Sequence, residues 1–137
     1  PLICEYLDGI GAAPPLFPAE RGARMVALRL HALGQGMIEA SVARRMESLR
    51  PEEPARGAAM ARMRDAVGRT LDVIEREADS LMGPFTIGSI TVGCALGYLD
   101  FRFGAEPWRE GHPKLAVWFD SASKHRAFVE TAPEAAR

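Results

Sequence analysis

The sequence of 137 residues predicts an all-α protein, a bundle of about five helices. Two observations carry this prediction. Apolar residues recur three or four positions apart along two long segments without proline, 19–49 and 55–81. A third segment, 85–103, has a local helix start signal and no charge before Asp100. Because no segment alternates apolar and polar residues over enough positions for a sheet, we expect no strand.

The first nine residues carry the amphipathic pattern of a helix, although no initiator methionine precedes them. The apolar face of this pattern needs something to pack on, so we expect that the chain is a fragment and that residues 1–9 are the end of a helix that begins before Pro1. Residues 10–18 are rich in Gly and Pro and predict a linker. Residues 19–137 then form the helical domain. The apolar face of the first helix consists of Leu2, Ile3, Tyr6 and Leu7.

The two long segments predict two long helices. The first extends from Ala19 to about Leu49 and is expected to bend at Gly34 and Gly36. The second extends from about residue 55 to residue 81 and has the most regular apolar period of the sequence. The intervening Arg-Pro-Glu-Glu-Pro ends the first helix, and a connection this short predicts that the two helices pack antiparallel.

The third helix has a capping box in its sequence. Thr86 is a good N-cap, Ser89 stands at the third helical position, and Phe85 and Ile90 occupy the two positions of a hydrophobic staple. A helix that is apolar on all faces is either a membrane span or the centre of a bundle. Since residues 87–99 are too few to cross a bilayer core of roughly 30 Å, we expect the buried centre of the bundle.

The C-terminal part of the sequence predicts a loop, a helix and a short helical turn. Residues 103–111 form the loop, and the helix begins near His112 with proline in its first turn. The turn covers residues 126–130, and a fraying tail follows from Thr131. The buried face of the helix is expected to consist of Leu115, Trp118 and Phe119.

Composition and charge exclude several classes of function. A net charge of −1 and a pI near 6.4 argue against partners recognised by bulk positive charge, namely nucleic acids and anionic membranes. Cys4 and Cys94 are too few for a disulfide framework, and the first residues do not have the pattern of a secretory leader, so we expect a cytoplasmic protein. The histidines lack the spacing of a helical metal pair, and no metal site is expected. The Cys94 thiol is expected to be buried and inert.

Two patterns are candidates for a specific role. Gly93 and Gly97 form Gly-x-x-x-Gly, a spacing that lets another backbone approach closely. The first long helix carries a face that mixes apolar and hydrogen-bonding groups, which could line a pocket or could be an ordinary boundary between helices. Periodicity alone does not distinguish these two interpretations of the face. The face consists of Arg24, Leu28, His31 and Gln35.

Six segments, in this order, make the chain resemble the C-terminal helical domain of cytosolic glutathione S-transferases, in particular a bacterial subgroup. Residues 3–8, Ile-Cys-Glu-Tyr-Leu-Asp, are similar to the end of the family's third helix, and Leu-Phe-Pro at 16–18 resembles its linker. Residues 85–90 resemble the family's capping motif, although Ser89 replaces the usual Asp, which weakens the box by about 0.5 to 1 kcal/mol. Residues 95–102 and the closing segments 112–118 and 128–133 complete the similarity.

The resemblance implies a glutathione transferase, a detoxifying enzyme in which glutathione, the co-substrate, attacks a small-molecule electrophile. The family's first domain binds glutathione and supplies the activating Ser, Cys or Tyr, so this chain carries no catalytic residue and is expected to be inactive alone. The resemblance therefore implies that this chain contributes walls of the electrophile pocket and the surface of a homodimer. By the family's motif Tyr98 lies in that pocket, and the resemblance favours Arg24, Leu28, His31 and Gln35 as further lining groups.

A second function agrees with the same resemblance. The helical domain also occurs in non-catalytic proteins that bind protein partners, so an interaction module is the alternative to the enzyme.

Overall fold

A computed structural model describes residues 1–133 of the chain. Within these residues it contains helices and no strand, which confirms the predicted fold class. A one-turn 3-10 helix, Ala78–Leu81, follows the second long helix. Part of the predicted fraying tail, residues 134–137, lies outside the described residues. The helices are α1 (Leu2–Asp8), α2 (Arg21–Ser48), α3 (Pro54–Arg76), α4 (Ile87–Phe103), α5 (Trp108–Gly111), α6 (Pro113–Ala122) and α7 (Arg126–Thr131).

The two long helices, α2 and α3, pack antiparallel, as their sequence predicts. Arg29 near the start of α2 forms an ion pair of 2.7 Å with Glu77, which directly follows the end of α3. The second helix is shorter than predicted, because α3 ends at Arg76 and the chain continues as the 3-10 turn. In this turn the Leu81 carbonyl accepts a hydrogen bond of 3.1 Å from the indole of Trp118, which ties the turn to α6.

Helix α4 lies parallel to α2 at the centre of the bundle, and glycines allow the close approach of the two. A Cβ atom built at Gly34 of α2 would lie 3.0 Å from Thr91 and from the backbone nitrogen of Val92. A Cβ at Gly88 of α4 would lie 2.7 Å from the Leu30 Cβ. Real Cβ atoms do not approach neighbours as closely as a Cβ at Gly88 would, and a Cβ at Gly34 would be tighter than most real contacts. The crossing of α2 and α4 therefore depends on Gly88 and is eased by Gly34.

The predicted start of α4 is confirmed in atomic detail. The Ser89 N–H donates to the Thr86 hydroxyl at 3.3 Å, and the Thr86 N–H donates to the Ser89 hydroxyl at 2.8 Å. The Ser89 hydroxyl in turn donates to the Thr86 carbonyl at 3.0 Å, a bond that a carboxylate could not donate. This third bond partly offsets the missing charge of the usual Asp.

The C-terminal segment differs from the predicted loop at one point. Residues 108–111 form the short helix α5, whose Trp108 is buried with its indole donating to Asp100 at 2.8 Å. The Glu75 carboxylate of α3 accepts the N–H groups of Lys114 and Leu115 in the first turn of α6. Helix α6 thereby begins at Pro113, as predicted, and buries its three predicted core residues, Leu115, Trp118 and Phe119.

The Gly-x-x-x-Gly pattern of α4 does not bring two backbones together. A Cβ at Gly93 would meet the ring of Phe128, a side chain of α7, and a Cβ at Gly97 would lie 3.8 Å from the Phe119 ring. At Gly93 the spacing admits the ring of Phe128 instead of a second backbone, so the pattern serves packing within the bundle. The close approach occurs one turn or more earlier, at Gly88, because α2 crosses the N-terminal half of α4.

Candidate functional site

Helix α1 is fastened to the start of the bundle by its acidic residues. The Asp8 carboxylate accepts the N–H groups of Leu16 and Phe17 at 2.8 and 3.1 Å, which shapes the linker. Glu5 forms an ion pair with Arg24 of α2. The apolar residues of the helix stay exposed, with Tyr6 at 70%. Polar contacts therefore hold α1 in place, while its apolar face has no cover within the described residues.

Two of the predicted pocket residues, Arg24 and Leu28, join the linker to α2. Arg24 pairs with Glu5 and lies over the Phe17 ring, with its guanidinium carbon 5.4 Å from the ring centre. Leu28 packs on the small core cluster that contains Phe17 and Ile87. Both side chains are half-buried and are engaged in these contacts. These contacts give both residues a structural role where the linker meets α2.

His31 is held by Thr91 of the capped helix. Its Nδ1 lies 2.8 Å from the Thr91 hydroxyl, and that hydroxyl donates to the Ile87 carbonyl at 2.7 Å. Because the hydroxyl proton is committed, the His31 Nδ1 carries the donated proton and its Nε2 keeps a lone pair. Desolvation lowers the pKa of His31. The ring is therefore neutral near pH 7 and offers Nε2 as a hydrogen-bond acceptor.

Gln35 stands apart from the other predicted residues. Its side chain is exposed and donates a hydrogen bond of 3.0 Å to Glu39, one turn further along the same helix. The structure thus places Arg24, Leu28 and His31 in contacts with the linker or with α4, whereas Gln35 contacts its own helix. The four residues share a face of α2, but none of them lines the cavity to which Tyr98 belongs.

Tyr98 lies on an apolar groove along α4, which the sequence did not predict. The groove follows one edge of the helix, so α4 is the largely buried centre of the bundle that the sequence predicts, except along this edge, where Cys94 is exposed. It contains two adjoining cavities of about 570 and 760 Å³ that share Cys94, Phe128 and Thr131. Linker residues close one end and α7 forms the opposite wall. We call this feature the α4 groove; its floor consists of Ile90, Cys94, Gly97, Tyr98 and Phe101.

Two residues of the α4 groove, Cys94 and Phe128, were absent from the predicted site. The Cys94 side chain is exposed, which corrects the expectation that it is buried, and surrounding apolar atoms raise the pKa of its thiol. The thiol form prevails at neutral pH, and such a group is a poor nucleophile. Phe128 closes the groove from α7 because Gly93 leaves space for its ring. A pairing of α4 with α7 has no signature in the period of either segment.

The chemistry of the α4 groove is that of binding. Its walls are mostly aromatic, aliphatic and proline side chains, with Tyr98 and His125 among the few polar groups. In residues 1–133 no group of three His, Cys, Asp or Glu side chains is placed to hold a metal ion. None of the helices among these residues is long and apolar enough to span a bilayer. Because its walls are mostly apolar, the groove can accept an apolar molecule.

Comparison with known proteins identifies the family. Residues 57–121 match the family model of the glutathione S-transferase C-terminal domain. A glutathione transferase family member from Pseudomonas fluorescens Pf-5, solved with bound S-(propanoic acid)-glutathione, is 41% identical, with a TM-score of 0.90. The alignment covers 96% of this chain and 68% of that one. The chain belongs to the glutathione S-transferase family.

Two further relatives support the assignment. A glutathione S-transferase from Methylobacillus flagellatus KT, solved with bound glutathione, is 32% identical, with a TM-score of 0.89, over 96% of this chain and 67% of its own. The uncharacterized GST-like protein YibF of Escherichia coli K12 is 28% identical over 97% of this chain and 67% of its own length. The described helices thus include the C-terminal helical domain of the glutathione S-transferase fold, and the chain spans about two thirds of these relatives.

Proposed function

We propose that the natural protein joins the sulfur of glutathione to a small-molecule electrophile, and that this chain supplies part of the electrophile site. The observation that carries the proposal is the 41% identity to a protein that holds S-(propanoic acid)-glutathione. In that compound the glutathione sulfur bears a carbon substituent, which is the connectivity that conjugation produces. The same proposal includes a cytoplasmic homodimer and a role in detoxification.

The proposed reaction is a nucleophilic attack by the glutathione thiolate. A sulfur–carbon bond forms, and the leaving group departs from the carbon with its electron pair. The enzyme assists by stabilising the thiolate through a hydrogen bond, which lowers the pKa of the glutathione thiol. We assign the activating residue and the glutathione contacts to sequence outside this chain. The chain alone is therefore expected to be inactive.

The α4 groove is the surface that this chain contributes to the electrophile. Its aromatic and aliphatic walls favour an apolar body on the substrate, and the Tyr98 hydroxyl offers one polar contact. His31 supports the groove indirectly, because its bond to Thr91 fixes the first turns of α4. In this proposal Tyr98 contacts substrate, and His31 is a positioning residue with an additional acceptor at Nε2.

Two measurements on the natural protein test the proposed activity. We expect retention on immobilised glutathione and conjugation of a chloronitrobenzene, whereas the chain of 137 residues alone should not exceed the buffer rate. If the natural protein neither binds glutathione nor conjugates the chloronitrobenzene, the enzyme proposal fails. The alternative function, a non-catalytic interaction module, is then favoured. A conjugation rate from the isolated chain would contradict the assignment of the catalytic groups to another part.

A variant series tests the role of the α4 groove. Tyr98→Ala should raise KM for the chloronitrobenzene about fivefold, since an aromatic contact contributes about 1 kcal/mol, and should leave KM for glutathione unchanged. Tyr98→Phe keeps the ring and should recover most of the loss. His31→Ala is expected to act in the same direction. Arg62→Ala, on an exposed position of α3, is the control. Equal changes in both KM values would remove Tyr98 and His31 from the electrophile site.

A further inference from the structure

The α4 groove is longer than a single aromatic ring needs. Its floor extends from Ile90 to Phe101, 11 positions (90 to 101), which corresponds to about 16 Å along a helix. We call its two parts the linker-side cavity, of about 570 Å³, and the Tyr98 cavity, of about 760 Å³. Each has the size of a small-molecule site. The groove therefore has room for an elongated molecule.

The linker-side cavity is lined by proline and aromatic rings. The Phe85 ring centre lies 4.8 Å from that of His125, edge to face, and 6.0 Å from that of Phe128. Rings arranged in this way offer both faces and edges, against which a further aromatic ring packs favourably. Three prolines add rigid apolar surface to the same cavity. These are Pro14, Pro15 and Pro84.

The two cavities meet at Cys94, Phe128 and Thr131, which line both of them. The Phe128 ring leaves the junction open because it lies in the recess above Gly93, where a Cβ would be only 2.5 Å from the ring's Cζ atom. Cys94 is exposed beside this ring. A molecule that lies along the edge of α4 therefore passes from one cavity to the other over the Cys94 thiol.

The carboxylate in the groove wall is already neutralised. Asp100 lines the Tyr98 cavity, and its two oxygens accept hydrogen bonds of 2.6 and 2.7 Å from Arg109. The Trp108 indole donates a further bond of 2.8 Å to the same carboxylate. Among the described residues, no Lys or Arg side chain lines either cavity. A charged ligand would lose hydration in this groove without gaining a counter-charge, so the walls favour an uncharged one.

We propose that the α4 groove binds one elongated, uncharged molecule with a ring system in each cavity and its middle over Cys94. The linker-side cavity contains none of the pocket residues predicted from the sequence, and it extends the site beyond Tyr98. As a description of the electrophile, this inference rests on the proposed function. The binding itself requires neither glutathione nor turnover.

N-phenylnaphthylamine is the probe, because it is uncharged, has two ring systems joined by a nitrogen, and fluoresces in apolar surroundings. Titration of the chain of 137 residues, without glutathione, should show saturable binding of one molecule per chain. N-methylaniline keeps only one ring and should bind at least tenfold more weakly, since it buries less apolar surface. Anilinonaphthalene sulfonate keeps both ring systems but adds a charge, and it should also bind at least tenfold more weakly. Equal affinity for either compound would overturn the proposal.

Cys94 reports where the probe lies, because its side chain is exposed at the junction. Bound probe should slow alkylation of Cys94 by iodoacetamide at least fivefold, since access controls the reaction of a thiol. Mass spectrometry of the Cys94 peptide measures this rate. Cys4 is the internal control, because it is exposed on α1 outside the groove and should react equally fast with and without the probe. An unchanged rate at Cys94 would contradict the proposed position.

Two substitutions test whether one molecule spans both cavities. Gly97→Leu fills part of the Tyr98 cavity, and Ala127→Leu fills part of the linker-side cavity. Each should weaken binding of the probe at least tenfold, because either one removes space for a ring. Gly57→Leu, at an open position of α3 outside the groove, is the control and should not change binding. Unchanged affinity in either groove variant would overturn the proposal, and the alkylation of Cys94 decides the matter even if a variant fails to fold.

The enzyme proposal and this inference fail by different results. Binding of the probe by the chain, without conjugation by the natural protein, would overturn the enzyme proposal and support the elongated site. Conjugation by the natural protein, without saturable binding of the probe, would overturn this inference alone.

Discussion

The crossing of α2 and α4 makes Gly88 the position where a single methyl group should damage the fold most. In Gly88→Ala the new Cβ would lie 2.7 Å from the Leu30 Cβ and 3.1 Å from the carbonyl carbon of Ala27. Favourable carbon–carbon contacts begin near 3.5 Å, so the two helices must separate by roughly 1 Å. Because Ala27 contributes backbone atoms, no rotamer change can relieve the contact.

The size of the effect follows from two opposing contributions. Overpacking a well-filled core costs about 1 to 3 kcal/mol, and contact with backbone places Gly88→Ala at the upper end. The helix propensity of alanine returns about 1 kcal/mol. The expected net loss is about 2 kcal/mol in the free energy of unfolding. With an unfolding entropy of about 2.1 cal/mol/K per residue, this loss lowers Tm by about 7 °C.

Gly68→Ala is the matched control. It makes the same change in the interior of a helix, but its Cβ enters open space. This variant should gain about 0.5 to 1 kcal/mol through helix propensity. Urea unfolding, followed by circular dichroism, gives the free energy of unfolding of both variants. The urea midpoints are directly comparable when the m-values are equal. If Gly88→Ala is as stable as Gly68→Ala, the reasoning on the close approach of α2 and α4 is refuted.

Three further predictions concern single side chains. Ser89→Ala removes the side-chain half of the capping box and should cost about 1 kcal/mol in urea unfolding; an unchanged midpoint would show that the box does not stabilise α4. Ser41 is 1% exposed and its hydroxyl has no hydrogen-bond partner in residues 1–133, so Ser41→Ala should gain about 1 kcal/mol, and a loss would reveal a hidden partner. Because the pKa of His31 is lower in the folded chain than in the unfolded chain, the unfolded chain binds more protons in the pH range between these two pKa values. Stability should therefore rise as pH increases through the unfolded histidine pKa of about 6.5, and His31→Gln should flatten this part of the profile. A profile of the same slope in the variant would assign the pH dependence to another group.

The candidate site was harder to predict than the helices, and α4 shows why. Its start could be predicted because a cap, a staple and a box are interactions among residues a few positions apart. Its exposed edge could not, since the helix is apolar on that side too and periodicity distinguishes faces only by polarity. The α4 groove exists because α7 places Phe128 against Gly93, a contact across 35 positions (93 to 128) that leaves no periodic signal.

The sequence by itself determined the all-α class, the two long antiparallel helices, the capped start of α4 and, through the order of its motifs, the glutathione S-transferase family. These properties depend on local propensity, apolar period and the order of motifs along the chain, all of which the amino-acid sequence contains. Only the tertiary structure decided which glycines carry the helix crossing, that Cys94 is exposed, and that Arg44 lies enclosed with an unpaired donor. Each of these depends on how distant segments meet, because the space around an atom is set by neighbours that its own segment does not encode.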